Sequence, residues 1–160
     1  MGKQKNTDQS LPTEVYDEYW IWAARVDIYN YPQPTERNGK WMIYAHDSEV
    51  DQVWITIRNA VVGGLLGSSA KVATMKPSPI AVKPDHKVIC IYTYDSEDRV
   101  DVVGILTALR EDLGIQHKAF YKEDNVTRSG DYSFNTRGPV SKYWADYGEI
   151  ALRIPKGREA

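Results

Sequence analysis

The chain lacks most of what would announce a function. Its 160 residues contain one cysteine, Cys90, so no disulfide can form within the chain, and its place in an apolar strand pattern reads as inert core. Such cysteine usage fits a reducing cytoplasm. Phenylalanine is scarce, at 2 residues against 11 Tyr and 5 Trp. Neither sign of charge dominates: 20 basic and 22 acidic residues leave a net charge of −2, which argues against a partner of long nucleic acid. No apolar run approaches the roughly 18 residues of a membrane helix, so no membrane is expected as a partner. Residues 1–18 are polar and lack an apolar signal core, and read as a flexible tail. No GxGxxG, Walker loop, GxSxG or CxxC motif occurs. The three histidines, His46, His86 and His117, show no metal-ligand spacing, and no cofactor is called for.

What is present is a pattern of alternating elements. Tyr19 to Arg25 alternates as a strand, with Trp20 and Trp22 on one face. Pro32, Pro34, Asn38 and Gly39 break the next segment, and Trp41 to Ala45 forms a second strand, expected to pair antiparallel with the first. A helix opens at Ser48 with Asp47 or Ser48 as its cap, and Ser48-x-x-Asp51 resembles a capping box. Val50, Val53, Trp54, Ile57 and Val61 make its apolar stripe, and Gly63-Gly64 ends it. Ala70 to Thr74, Val88 to Thr93 and Lys118 to Lys122 are further strands. A second helix runs from about Ser96 to Leu113 with Val102, Val103, Leu106, Leu109 and Leu113 inward. Ile150 to Ile154 is a candidate edge strand. The order predicts one α+β domain over residues 19–154, followed by a tail at 155–160: a curved, mainly antiparallel sheet with helices on one face.

Two groups of residues suggest chemistry. The loop Asp124-Asn125-Val126-Thr127-Arg128-Ser129-Gly130 combines hydroxyls, a guanidinium and accessible backbone N–H groups, a composition suited to an anion. With Lys71, Lys76, Lys83 and Lys122, Arg128 and Ser129 form a candidate phosphate-binding set, since charge-assisted hydrogen bonds are about twice as strong as neutral ones. Trp20, Trp22, Tyr29, Tyr31 and Tyr92 are candidates for stacking on a base, of which Trp22, Tyr31 and Tyr92 are assigned to the site. Asp95, Glu97, Asp98 and Asp101 cluster at a helix start, where the dipole favours negative charge.

Gly39-Lys40-Trp41, Val50-Asp51-x-x-Trp54, Ala70-Lys71-Val72 and Val88 to Thr93 with Asp95 resemble the DUF1917 family, which includes a protein expressed in basophilic leukaemia cells. The same span is similar to the C-terminal part of the cap-binding translation initiation factor, with a Gly-x-Trp strand, a Trp-containing helix, Leu113-Gly114 and the Asp124–Gly130 loop in order. That resemblance implies a cap-binding-initiation-factor-like fold and a ligand on its concave face. In that family two Trp side chains and an acidic residue hold a methylated guanine. Here the matching positions are Tyr29 or Tyr31 with Glu36, and the second Trp has no counterpart. Lys76, Lys83 and Arg128 fall at or beside the family's basic positions.

Some proteins of this pattern carry a phosphothreonine-lyase label, which would make Lys71 the base of a phosphate elimination. Ala73 stands where that pattern has the acid histidine. The readings are therefore a binder of a nucleotide-like or phosphorylated small ligand, comparable with a phage nucleotide sponge, a lyase-like enzyme using Lys71, or a domain whose helical face binds a protein partner.

Overall fold

A computed structural model of the protein describes residues 8–79, 81, 83–125 and 141–155. Six strands form one antiparallel sheet: β1 (Trp20–Ala24), β2 (Gly39–His46), β3 (Ser69–Ala73), β4 (His86–Thr93), β5 (Ala119–Glu123) and β6 (Tyr143–Ala145), in the spatial order β1-β3-β4-β2-β5-β6. Helices α1 (Val50–Val62) and α2 (Arg99–Thr107) lie on one side. Alternation along each strand sends one set of side chains under the helices and the other to the uncovered face. Ile21, Val72, Ile89, Ile91, Trp41, Ile43 and Tyr121 make the covered set, joined in the core by Val50, Trp54, Ile57 and Val61 of α1. Trp54 is a core residue.

The triplet Gly39-Lys40-Trp41 shows how local sequence serves this arrangement. A Cβ at Gly39 would meet the Tyr121 hydroxyl at 2.6 Å and the Lys122 carbonyl at 2.7 Å, so only glycine lets β2 run this close to β5. Trp41, two residues on, is fully buried, and its Nε1–H donates to the Val102 carbonyl of α2 at 2.9 Å. Lys40 between them points to the uncovered face.

Several local expectations are corrected. β1 pairs with β3, not with β2. The later part of the Arg25–Asn38 connector is fastened to the residues just beyond β4, with the Thr35 N–H to the Tyr94 carbonyl at 3.0 Å and the Ser96 N–H to the Arg37 carbonyl at 2.7 Å. It thereby carries the chain from the edge of the sheet to its centre, where β2 lies between β4 and β5. No Ser48 capping box forms: the Ser48 N–H turns to His46 Nδ1, and Asp51 accepts instead from the N–H and hydroxyl of Thr13. That contact belongs to a packed segment in the stretch read as a tail. Pro12 is buried, Val15 packs on the core, and the Met75 N–H donates to the Val15 carbonyl at 2.9 Å.

Helix α2 gives way to a π turn at Ala108–Asp112, whose extra residue rotates the helix face. Arg110 is turned inward there and donates to the carbonyls of Ile115, His117, Asp146 and Glu149 at 2.6–3.0 Å. Val103, expected inside, is only partly buried. Ile150 to Ile154 supplies a single bridge, Arg153 to Trp144, rather than a strand, and β6 is a strand that the sequence pattern did not indicate. No described helix is long and apolar enough to cross a membrane.

Candidate functional site

The uncovered face is read most simply across the strands. One register row runs Trp22 (β1), Lys71 (β3), Cys90 (β4), Met42 (β2), Phe120 (β5) and Trp144 (β6). The adjoining row places Tyr92 opposite Lys40, and Lys40 opposite Lys122. Strand alternation therefore gathers Trp22, Lys71, Tyr92 and Lys122, all four named from the sequence, with Lys40, which was not.

The Lys71 ammonium is boxed by aromatic rings, 3.8 Å from the centroid of Trp20, 5.2 Å from Trp22 and 5.9 Å from Tyr92. These distances fall within the range of cation–π attraction. Among the described residues no carboxylate comes within ion-pair distance of it. Burial lowers the Lys71 pKa, and burial does the same to Lys122. Lys40 lies 5.7 Å from the Tyr92 centroid and forms an ion pair with Asp124 at 2.6 Å, while Asn38 donates to the other Asp124 oxygen at 3.0 Å. Cys90 sits buried beneath this cluster, and burial pushes its thiol up to about 11. A thiol so placed is inert as a nucleophile at neutral pH.

Trp22 and Tyr92 stack on each other, with centroids 5.8 Å apart and planes at 19°. Beside them opens a cavity of about 350 Å³, closed by Pro32 and Pro34 of the connector, by Ser68 and Ser69, and by Asn38 and Asp124. A Cβ at the neighbouring Gly67 would come within 1.9 Å of the Tyr92 carbonyl oxygen, so the loop entering β3 lies directly on β4 at this point.

The remaining predicted residues are placed elsewhere. Lys76 follows β3 at its far end, with Nζ 3.3 Å from the Asp17 carbonyl and 4.3 Å from the Tyr19 ring centroid. Lys83 is exposed in the loop before β4. Tyr92 is six residues into β4 from His86, so Lys83 and the Tyr92 row stand about 20 Å apart. The basic set is thus two groups at opposite ends of the sheet, because the β3–β4 loop leaves at the end away from Asp124. Tyr31 is corrected as a stacking residue: it is buried, its hydroxyl donates to Asp101 at 2.7 Å and accepts the Tyr94 N–H at 3.1 Å, and burial raises its pKa. Arg128 and Ser129 lie outside the described residues, as does the loop from Val126 onward.

The acidic cluster is divided among structural duties. Asp98 caps α2 by accepting the Asp101 N–H at 3.1 Å. Asp95 is buried and accepts two hydrogen bonds from Arg37 and one from Thr35, and the Arg37 guanidinium is the main reason its pKa falls to about 2. All three histidines are at the end of the sheet opposite Asp124: His46 and His86 are register partners that share Asp85, and His117 meets Glu49 at 3.1 Å. His86 is four residues along β4 from Cys90, the partner of Lys71, which is about 13 Å. Among the described residues no group of three or more His, Cys, Asp or Glu could hold a metal ion.

Lys40 and Asp124 were legible in part. Alternation about the buried Trp41 puts Lys40 on the opposite face, a signal available once Trp41 is assigned to the core. The approach of Asp124 to Lys40 depends on β5 pairing with β2, for which the sequence carried no signal.

This chain, with six antiparallel strands and two helices on one face among its described residues, shares the cap-binding initiation-factor fold, as its superposition with a solved structure shows. The crystal structure of schistosome eIF4E complexed with m7GpppA and 4E-BP superposes with a TM-score of 0.62 at 16% identity, covering 87% of this chain and 76% of that one. A complex of Ascaris suum eIF4E-3 with an m2,2,7G cap matches at a TM-score of 0.45 and 15% identity, over 75% of this chain and 58% of that one, too distant to argue from. Identity at these levels establishes the fold alone. The family model for basophilic leukemia-expressed protein Bles03 matches residues 23–128, and the chain belongs to that family.

Proposed function

We propose that the uncovered face binds a small phosphorylated ligand with a planar ring, a nucleotide in the simplest case. One observation carries this reading: the Lys71 ammonium is held half-buried among Trp20, Trp22 and Tyr92 with no carboxylate partner among the described residues, beside a cavity of ligand size. A desolvated cation gains more from an anion than a solvated one does, and an exposed Trp22 offers a ring face to stack on. Lys40 and Lys122 add positive potential, and Asn38 and the Lys40-paired Asp124 line the cavity. The cap nucleotide bound by the schistosome protein is consistent with this use of the fold. Titration calorimetry with ATP, GTP and ADP-ribose tests it: at least one should bind at micromolar concentration, and Lys71→Ala should weaken it about tenfold or more. No heat with any of them up to millimolar concentration would reject the reading.

The site supports holding a ligand rather than turning it over. A phosphate elimination with Lys71 as base needs a positioned acid, and Ala73 is on the neighbouring position of the same strand face while the histidines are remote. A phosphothreonine peptide incubated with the protein should keep its phosphate by mass spectrometry.

A second reading concerns the other side of the molecule. A groove of about 650 Å³ runs along α2, floored by Leu65, Val103, Gly104 and Ala108, with Val100 86% exposed, Arg99 at one end and Asp112 at the other. Such a groove suits a short apolar peptide with one charge at each end. The schistosome protein was solved with 4E-BP as well as a nucleotide, which supports the comparison. A partner that uses it should be lost on Val100→Asp while nucleotide binding is kept.

A further inference from the structure

Resting on that nucleotide reading, we infer that the site selects against cationic rings, so that its ligand is a phosphorylated compound with an uncharged base rather than an N-methylated, positively charged one. The faces of Trp and Tyr rings carry negative electrostatic potential and are where a cationic base would be held. Here they are already taken. Lys71 Nζ is 3.8, 5.2 and 5.9 Å from the Trp20, Trp22 and Tyr92 centroids, and Lys40 Nζ is 5.7 Å from Tyr92. The chain's own ammonium groups therefore already draw on the aromatic rings that a ligand cation would use, and they add positive charge beside the face of Trp22 that is left.

Two further observations point the same way. A base inserted between two rings needs them about 7 Å apart, twice the optimal contact distance. Trp22 and Tyr92 stand 5.8 Å apart and nearly parallel, so they stack on each other and leave no slot between them. A ligand ring has the outer face of Trp22, which is 48% exposed, and Lys71 Nζ, 5.2 Å from the Trp22 centroid and 5.9 Å from that of Tyr92, already draws on the same ring from the Tyr92 side. A carboxylate could offset a cationic ring, but among the described residues the one lining this cavity, Asp124, already accepts from Lys40 at 2.6 Å and Asn38 at 3.0 Å. Like charges at these distances repel in a partly dehydrated site. An uncharged ring meets no such penalty, and its phosphates gain from both lysines.

The test isolates charge from shape. Binding of 7-methyl-GTP, whose ring is cationic, is compared by calorimetry with that of 7-deaza-7-methyl-GTP, which carries the same methyl group on a neutral ring, using the full chain. The neutral compound should bind about tenfold tighter. In Lys71→Met, which keeps the apolar stem, the difference should shrink to about threefold or less. Lys71→Gln serves as the second variant, and a melting curve confirms that each is folded. Equal affinities, or tighter binding of the cationic compound, would overturn the inference and leave the nucleotide reading standing. A preference unchanged in both variants would overturn the role of Lys71. Binding of neither compound, nor of GTP, would remove the nucleotide reading and this inference with it.

Discussion

The two faces of the sheet are built from the same strands, and they differ in what their residues are asked to satisfy. Beneath the helices Trp41, Ile43, Ile89, Ile91 and Tyr121 are fully buried, and the polar tips of these residues are paired, Trp41 to Val102 and the Tyr121 hydroxyl to Thr93, while the Nε1–H of the buried Trp54 has no partner among the described residues. On the uncovered face, Lys40 and Lys71 sit over aromatic rings, and Lys71 has no carboxylate partner among the described residues. A core gains stability from satisfied groups, whereas a face holding an unneutralised, partly dehydrated cation keeps interaction energy in reserve for something that is not in the chain.

The largest effect that would sharpen this contrast is Trp41→Ala. It empties a fully buried position and removes a hydrogen bond to α2, and should cost about 3–5 kcal/mol in urea unfolding. Gly67→Ala comes next. The added methyl would meet the Tyr92 carbonyl at 1.9 Å, so the backbone must move, at about 1–3 kcal/mol, and the same movement should disturb the cavity and weaken ligand binding.

Asp95→Asn follows, at about 2 kcal/mol for loss of charged hydrogen bonds from Arg37. It also carries a pH signature. A carboxyl that titrates at about 2 when folded and at about 3.9 when unfolded binds more protons in the unfolded chain. Its contribution is therefore complete above about pH 4 and disappears as pH falls toward 2. Melting temperature measured between pH 2 and 6 should fall less steeply in the variant than in the parent.

Trp22→Ala is the smallest in stability. Its ring is exposed and stacks only on the open face, so the loss should be about 1 kcal/mol or less, while ligand affinity should drop about tenfold. If Trp22→Ala were as destabilising as Trp41→Ala, the two faces would not be different in kind, and the binding role of the open one would lose its basis.

Much of this fold was legible before the structure. The α1 stripe from Val50 to Val61, the breakers at Gly63-Gly64 and the alternation in β4 each report a local period, and the order of motifs carried the resemblance to a cap-binding fold. The candidate site was legible only by halves. Trp22, Lys71, Tyr92 and Lys122 could be named because each lies in a regular strand whose faces follow from alternation. Lys76 and Lys83 could not be separated from them, since both are in the β3–β4 loop and a loop has no period to say which end of the sheet it leaves by. Tyr31 was misjudged for the same reason: nothing in an irregular segment says that its hydroxyl will meet Asp101, seventy positions later.

By itself, then, the sequence determined which segments are strands and helices and which side of each strand is apolar, because periodicity acts over a few residues and is written in neighbouring positions. Only tertiary structure decided that β1 lies beside β3, that β2 takes the centre, and that Lys40, Lys71 and Lys122 share one face with Trp22 and Tyr92. Those outcomes depend on strand order and on where the connectors place their hydrogen bonds, which are energies of the whole packed chain rather than of any one segment.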